Sequence, residues 1–423
     1  DAVYSAFAHA GQKCSASSLL VLVSSAGKSE RIARQLVDAT ASLRVRLPLS
    51  LDSQMGPVVV PDDEKAVRGL TTLGVGEHWV LKPRYLGDGL WTPGIRAGVV
   101  PGSEFHLTEY FAPVIGVMRV DTLEEAIEAV NAVDYGLTSG LQTLDAAELA
   151  VWLDSIQAGN IYVNRGITGA IVRRQPFGGW KRSAIGSTTK AGGPSYLLGL
   201  GDIEPADGQD VKELAGQGTA ALDPRVASLC DAVSGQLGEA DLAGLRRALV
   251  ADASAWRNAY GANRDVTALA CERNVLRYRP TDVFVRAGAG TELADVVRVM
   301  AAGVRAGGFV SLSVADRLPQ PLQNALQAAG VQVAVEDQGA WDARLAELSA
   351  SGGLGTRVRI LGPREETSAA RWSHASRVTG GSPDIALYTG AVTACPHSEL
   401  LPFLREQAVA ITNHRFGTPL DLA

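Results

Sequence analysis

The sequence predicts an α/β protein in two parts, the second a Rossmann-like unit around a parallel sheet. Three observations carry that prediction. Short apolar runs of strand length alternate with helix-periodic stretches along the whole chain. A polar, small-residue stretch, residues 205–222, interrupts the pattern and reads as a linker. Beyond it, strands and helices alternate with the regular spacing of parallel βαβ units. The expected domains are therefore residues 1–204 and 223–423, joined by 205–222.

In chain order, Asp1 to Ala10 is compatible with a helix, which Gly11 breaks just before Cys14. Ser18 to Ser24 reads as a buried strand, and Glu30 to Ala41 has helical spacing. Glycine and proline punctuate Pro48 to Pro101, which holds short strands. Glu104 to Val120 is a loop leading into a strand. Asp121-Thr122 then caps a helix with Glu124 and Glu125 in its first turn, running to about Val133. Ile161 to Val163 is a strand that enters a loop rich in Gly, Arg and Thr, ending at Pro176-Phe177-Gly178-Gly179. In the second part, strands at 283–286, 309–314, 331–336 and 357–361 alternate with helices at 291–302, 321–329 and 341–348.

The 423 residues, 46% hydrophobic and 20% charged, suffice for two or three cores. A net charge of −6, without long single-sign runs, argues against a nucleic-acid partner. The longest apolar runs are far too short to cross a bilayer. Cys14, Cys230, Cys271 and Cys395 lie far apart with no CxxC, so they suggest neither a disulfide framework nor a zinc site, and a cytoplasmic protein is expected. Asp1 opens directly into a helix-like stretch, so the chain is expected to be a fragment of a longer protein.

A cysteine works as a nucleophile when it sits on a partly exposed turn that favours its thiolate. Gly11-Gln12-Lys13-Cys14-Ser15-Ala16-Ser17 offers a glycine turn, a nearby cation and small neighbours. Local residues alone leave a buried packing cysteine equally open. The Thr168-Gly169-Ala170 run leaves backbone N–H groups unobstructed, which suits a carboxylate, or it is simply a tight connection. Arg173-Arg174 and Lys181-Arg182 could steer an anion, or be surface or subunit-contact charges. Ala287-Gly288-Ala289-Gly290, between a strand and a helix with Asp316 beyond, superficially resembles a dinucleotide fingerprint. Leu293 stands where the third glycine belongs, which favours a structural turn. Cys395-Pro396-His397 supplies too few ligands for a metal site, and no metal is expected.

Longer motifs add to these readings. The segment AFAHAGQKCSASSLLVLV resembles the catalytic-cysteine segment of the aldehyde dehydrogenase superfamily. In order after it come Glu109-Tyr110-Phe111-Ala112-Pro113-Val114, Asn131 with Tyr135-Gly136-Leu137-Thr138, Gly159-Asn160-Ile161-Tyr162-Val163-Asn164 and Pro176-Phe177-Gly178-Gly179, each similar to a family motif. The resemblance implies an aldehyde dehydrogenase catalytic domain with Cys14 as nucleophile, a thiohemiacetal and then a thioester, and the Cys14 N–H as an oxyanion donor. It implies NAD as cofactor, with Glu109 on the nicotinamide-side ribose and Phe111 beside it. Ala112 departs from the family's usual glycine. In that family the oxyanion asparagine, the general-base glutamate and most of the nucleotide-binding domain precede the cysteine, so the chain alone is expected to be inactive.

NRGITGA, QPFGGWKRSAIG and KAGGPSYL resemble L-glutamate-γ-semialdehyde (Δ1-pyrroline-5-carboxylate) dehydrogenases. By that match Gly169 and Ala170 donate N–H groups to the substrate α-carboxylate, Ser15 adds a hydroxyl and Phe177 flanks the aliphatic chain. Cys271-Glu272-Arg273-Asn274 with Arg277-Tyr278-Arg279-Pro280, and the ending Ile411 to Pro419, resemble the C-terminal extension of bifunctional proline-utilisation enzymes. That implies a non-catalytic, aldehyde-dehydrogenase-like domain at 223–423, an upstream FAD-dependent proline dehydrogenase and a homo-oligomer. The alternatives are a dehydrogenase for another carboxylated semialdehyde, such as succinate semialdehyde, or a non-catalytic oligomerisation and lid scaffold.

Overall fold

The computed structural model describes residues 1–187, 189–201, 203, 222–351, 354–412, 414–415 and 418–419. Of the expected linker, all but Leu222 lies outside the described residues. Two compact units form. The first comprises Asp1–Ile171, Thr267–Arg273 and the described residues from Val409 on; the second comprises Val172–Val266 and Asn274–Ala408.

The first unit opens with α1 (Ala2–Phe7), shorter than the helix expected to reach Ala10. The chain leaves helical geometry because His9 (φ 54°) and Ala10 (φ 57°) turn left-handed ahead of Gly11 (φ 69°). β1 (Leu19–Val23) and α2 (Glu30–Ala41) follow, and the Ser29 side chain caps α2 by accepting from the Ile32 N–H at 3.3 Å. The sheet is completed by β2 (His78–Leu81), β3 (Gly94–Val99) and β4 (Val114–Val120), in the order β1-β4-β3-β2. β4 is parallel to β1 and β3; only β2 runs antiparallel. β4 is buried from Val114 to Met118, as a strand covered on both faces should be.

α3 (Leu123–Asn131) starts at a capping box between Thr122 and Glu125 and stops short of Val133. Asn131 ends the helix by accepting the Gln157 N–H at 2.9 Å and donating to the Ser155 carbonyl at 2.9 Å. β5 (Thr138–Leu141) and β6 (Asn160–Val163) pair in parallel, with β6 wholly buried. These strands place two loops at their ends, and those loops carry the candidate site.

The second unit holds the expected parallel sheet: β7 (Val283–Ala287), β8 (Val310–Val314), β9 (Gln332–Val335), β10 (Thr356–Leu361) and β11 (Ile385–Tyr388). All neighbours are parallel, in the order β9-β8-β7-β10-β11. The order reverses at β7, as in a doubly wound Rossmann-like sheet. α4 (Leu293–Ala306) runs past Gly303, where the expected helix stopped. Gly303 is a packing glycine: the Phe403 ring comes within 2.8 Å of where a Cβ would stand. The helix ends instead at Gly307, whose φ of 83° forms a left-handed cap. At the Ala287–Gly290 turn the Gly288 N–H donates to the Leu361 carbonyl at 3.0 Å, so it serves the fold.

Val285, Val297, Met300 and Leu312 are fully buried, each stabilising the unit by about 1.5–3 kcal/mol. Among them lies a charged network. Arg298 donates two hydrogen bonds to Asp252 (2.6 and 2.9 Å) and one to the Thr393 carbonyl (3.0 Å). Glu399 accepts the Thr393 N–H at 2.9 Å and pairs with Arg359 at 3.3 Å. Both pairs are buried and hydrogen-bonded, the condition under which such charges are tolerated. Among the described residues, no helix is long and apolar enough to cross a membrane.

Lys190, also in this unit, is buried with its N–H donating to Glu406 at 2.9 Å and its ammonium against the Gly178 carbonyl. Burial pushes the Lys190 ammonium down to about 7, against an opposing pull from Glu406. The unfolded value is about 10.4. The unfolded chain therefore binds more protons between those limits, and stability contributed here rises with pH across that window. Urea unfolding at about pH 7 and about pH 9 should show a larger gain for the native chain than for Lys190→Met; identical pH dependence would contradict this.

Candidate active site

The site starts from the left-handed elbow His9–Gly11. A Cβ at Gly11 would stand 2.3 Å from the Ala112 carbonyl oxygen, so only glycine allows the elbow to touch the 109–112 loop. One residue on, the Gln12 side chain donates to the Phe111 carbonyl at 3.0 Å and accepts the Val59 N–H at 2.8 Å. Cys14 follows on a turn with its side chain exposed, while Ser15 is buried. Cys14 thus lies beyond the C-terminal end of α1, and the exposed thiol excludes the packing-cysteine reading.

Tyr110 anchors the facing loop. Its ring is buried and stacked on Phe105 at 5.2 Å, and its hydroxyl donates to Glu104 at 3.1 Å. Gly69 leaves room for it, since a Cβ there would lie 2.6 Å from the ring. Arg96, ion-paired to Glu77 at 2.8 Å, stacks on Phe105 at 4.0 Å. With Tyr110 held inward, Glu109 and Phe111 are left on the surface, Phe111 at φ 53°. Among the described residues the Glu109 carboxylate accepts no hydrogen bond. Protein packed on one side of it raises its pKa by partial desolvation, and Lys65 opposes that. Ala112 is buried in the same apolar cluster as Tyr110 and Val114, so its methyl is absorbed by the core. Gly11, Ser17, Glu109 and Phe111 line one small cleft.

The 164–170 loop leaves β6 with Asn164 at φ 55°, clamped to Thr143 by reciprocal bonds of 2.7 and 2.9 Å. Arg165 ion-pairs with Glu272. The Ile167 N–H donates to the Ser5 hydroxyl at 3.0 Å, and the Tyr162 hydroxyl donates to the Gly169 carbonyl at 3.0 Å. Gly169 (φ 88°) and Ala170 are exposed, with nothing within 4 Å of where a Gly169 Cβ would stand. Burial pushes the Tyr162 phenol up to about 12, with Arg165 and Asn160 opposing and Cys14 and Glu272 reinforcing. Tyr162 is therefore a neutral donor near Cys14.

The first unit thus holds Cys14, Ser15, Glu109, Phe111, Gly169 and Ala170. Phe177 belongs to the second unit, half-buried, with its N–H and C=O bonded reciprocally to Ala191 at 2.9 Å. Arg182 is committed to Asp384 at 3.2 Å. Among the described residues no group of three His, Cys, Asp or Glu is arranged to hold a metal. Sequence reasoning missed Ser5, Gln12 and Tyr162, which hold the backbone of the site; Gln12 and Tyr162 lie inside quoted motifs, and Ser5 left no signal.

Residues 1–198 match the model of the aldehyde dehydrogenase family. The same region is similar to the 1-pyrroline-5-carboxylate dehydrogenase of Bacillus subtilis (strain 168), 35% identical over 46% of this chain and 38% of that protein. The corresponding Geobacillus kaustophilus enzyme is 33% identical over the same shares. Across both halves the chain resembles the solved structure of proline utilization A from Corynebacterium freiburgense. That match has 37% identity and a TM-score of 0.76, and covers 99% of this chain and 37% of that one. The chain therefore spans well under half the length of these relatives.

Gly11→Ala adds a methyl where the Ala112 carbonyl already sits, at a φ that disfavours any Cβ. Thermal unfolding should show a loss on the order of 1–3 kcal/mol; a loss under about 0.5 kcal/mol would mean the elbow is not constrained as described.

Proposed function

We propose that the chain is the aldehyde-oxidising part of a longer, NAD-dependent enzyme that converts L-glutamate γ-semialdehyde to L-glutamate in proline catabolism. Residues 1–204 form its catalytic region and 223–423 a non-catalytic domain of aldehyde-dehydrogenase descent. The longer protein, on this reading, is a cytoplasmic homo-oligomer that also carries an FAD-dependent proline dehydrogenase. The carrying observation is the exposed Cys14 turn in one unit with an exposed glycine loop at 169–170. Similarity to the 1-pyrroline-5-carboxylate dehydrogenases and to proline utilization A supports the substrate.

In this mechanism Gly169 and Ala170 hold the α-carboxylate through their N–H groups, Ser15 contributes a hydroxyl and Phe177 flanks the chain. The Cys14 thiolate attacks the aldehyde carbon, and the Cys14 N–H stabilises the oxygen as it gains charge. The residues present fit the nicotinamide-ribose end of NAD: the Glu109 carboxylate is a free acceptor for ribose hydroxyls, and the exposed Phe111 ring offers a flat flank. Bound NAD supplies the hydride acceptor. Gln12 holds the Phe111 carbonyl and so keeps that flank beside the nucleophile. The Cys14 thioester is then released by water; no residue of this chain is assigned as the base.

Two measurements test the reading. Iodoacetamide should alkylate Cys14 much faster than Cys271, which is also exposed, with buried Cys230 slowest; equal rates at Cys14 and Cys271 would favour a scaffold. The full-length protein with NAD should show a higher kcat/KM for glutamate γ-semialdehyde than for succinate semialdehyde, and the reverse preference would refute the substrate.

A further inference from the structure

Ser5 is buried on α1, nine residues before the nucleophile, and ties three segments together. Its N–H donates to the Asp1 carbonyl at 2.8 Å within the first helical turn, and its carbonyl accepts the Ser17 N–H at 2.9 Å, just beyond Cys14. Its hydroxyl accepts the Ile167 N–H at 3.0 Å. The glycine loop rests directly on it: a Cβ at Gly166 would lie 3.3 Å from the Ser5 oxygen and 3.7 Å from the Tyr4 ring. One residue therefore fixes the segment that leaves the nucleophile and Ile167, the loop residue followed by Thr168, Gly169 and Ala170.

From this geometry we propose that Ser5 is a positioning residue that sets the distance between the Cys14 sulfur and the carboxylate-binding amides, and so selects the length of the aldehyde. The inference rests on the dehydrogenase reading above. Ser5 touches neither substrate nor cofactor. Its hydroxyl holds the loop at Ile167, while Tyr162 holds it at the Gly169 carbonyl. With the Ser5 hydroxyl gone, the Ile167 N–H loses its acceptor; the Asn164 and Arg165 ties still hold the start of the loop, and beyond them the Tyr162 bond at Gly169 is the one that remains among the described residues. A substrate bridging sulfur and amides then meets a poorly set span, whereas an aldehyde without the amino-acid end does not use the amides and is indifferent.

The test uses the full-length enzyme and its Ser5→Ala, Ser5→Thr and Gly166→Ala variants. The substrates are glutamate γ-semialdehyde and butanal, with kcat and KM measured separately. Ser5→Ala should raise KM for the semialdehyde roughly five- to tenfold with kcat nearly unchanged, and leave both parameters for butanal as they were. Ser5→Thr, which keeps the hydroxyl, should restore the low KM. Gly166→Ala, which presses the loop off an intact Ser5, should reproduce the selective rise even if Ser5→Ala does not fold. With an active wild-type enzyme, equal losses on both aldehydes, or no change in KM in Ser5→Ala and Gly166→Ala, overturn the positioning role alone. A wild-type enzyme that oxidises neither aldehyde overturns the dehydrogenase reading and this inference with it.

Discussion

The approach of Gly11 to the Ala112 carbonyl is the constraint on which the candidate site depends. Two left-handed residues before it, His9 and Ala10, force the chain out of α1, and such backbone persists only where surrounding structure over-determines it. Here the Ala112 side is fixed by Tyr110, itself wedged against Gly69 and stacked on Phe105. A buried aromatic therefore sets, through one glycine, where an exposed thiol stands.

The same logic explains why charged and polar side chains are buried around the site. Arg96 sits beneath Phe105 with Glu77 as its partner, stiffening the platform under Tyr110. Asn131 and Asn164, both in family-like motifs, act on backbone groups: one closes α3, the other fastens the start of the glycine loop to Thr143. Neither needs to meet substrate to be indispensable to the geometry. In the second unit the Asp252–Arg298 and Glu399–Arg359 pairs do comparable work on the Thr393 segment.

Much of this was legible in the residues. α2 lies at Glu30–Ala41 as its spacing indicates, the Thr122 cap is where the pattern puts it, and the alternation after residue 280 is a parallel sheet. Those elements obey local rules of periodicity, capping and strand length. The misreadings have local causes too. The helix expected over 291–302 continues through Gly303, a seat for Phe403, to Ala306, and the α1 break comes earlier than Gly11 because His9 and Ala10 accept left-handed geometry. β11 and the helices Pro224–Asp231 and Glu239–Ala255 were left unassigned. The role of Ser5, and that of Gln12 within the quoted cysteine segment, was illegible because each is a hydrogen bond to backbone far along the chain, which leaves no period of its own.

On the proposed reading, Cys14 forms a covalent bond to the aldehyde carbon. Mass spectrometry of peptides from the full-length enzyme, quenched in acid during turnover of glutamate γ-semialdehyde with NAD, tests it directly. The prediction is a glutamyl thioester on the Cys14 peptide and on no other cysteine. An adduct on Cys230, Cys271 or Cys395 instead, or an unmodified Cys14 during active turnover with slow thioester release, would contradict it.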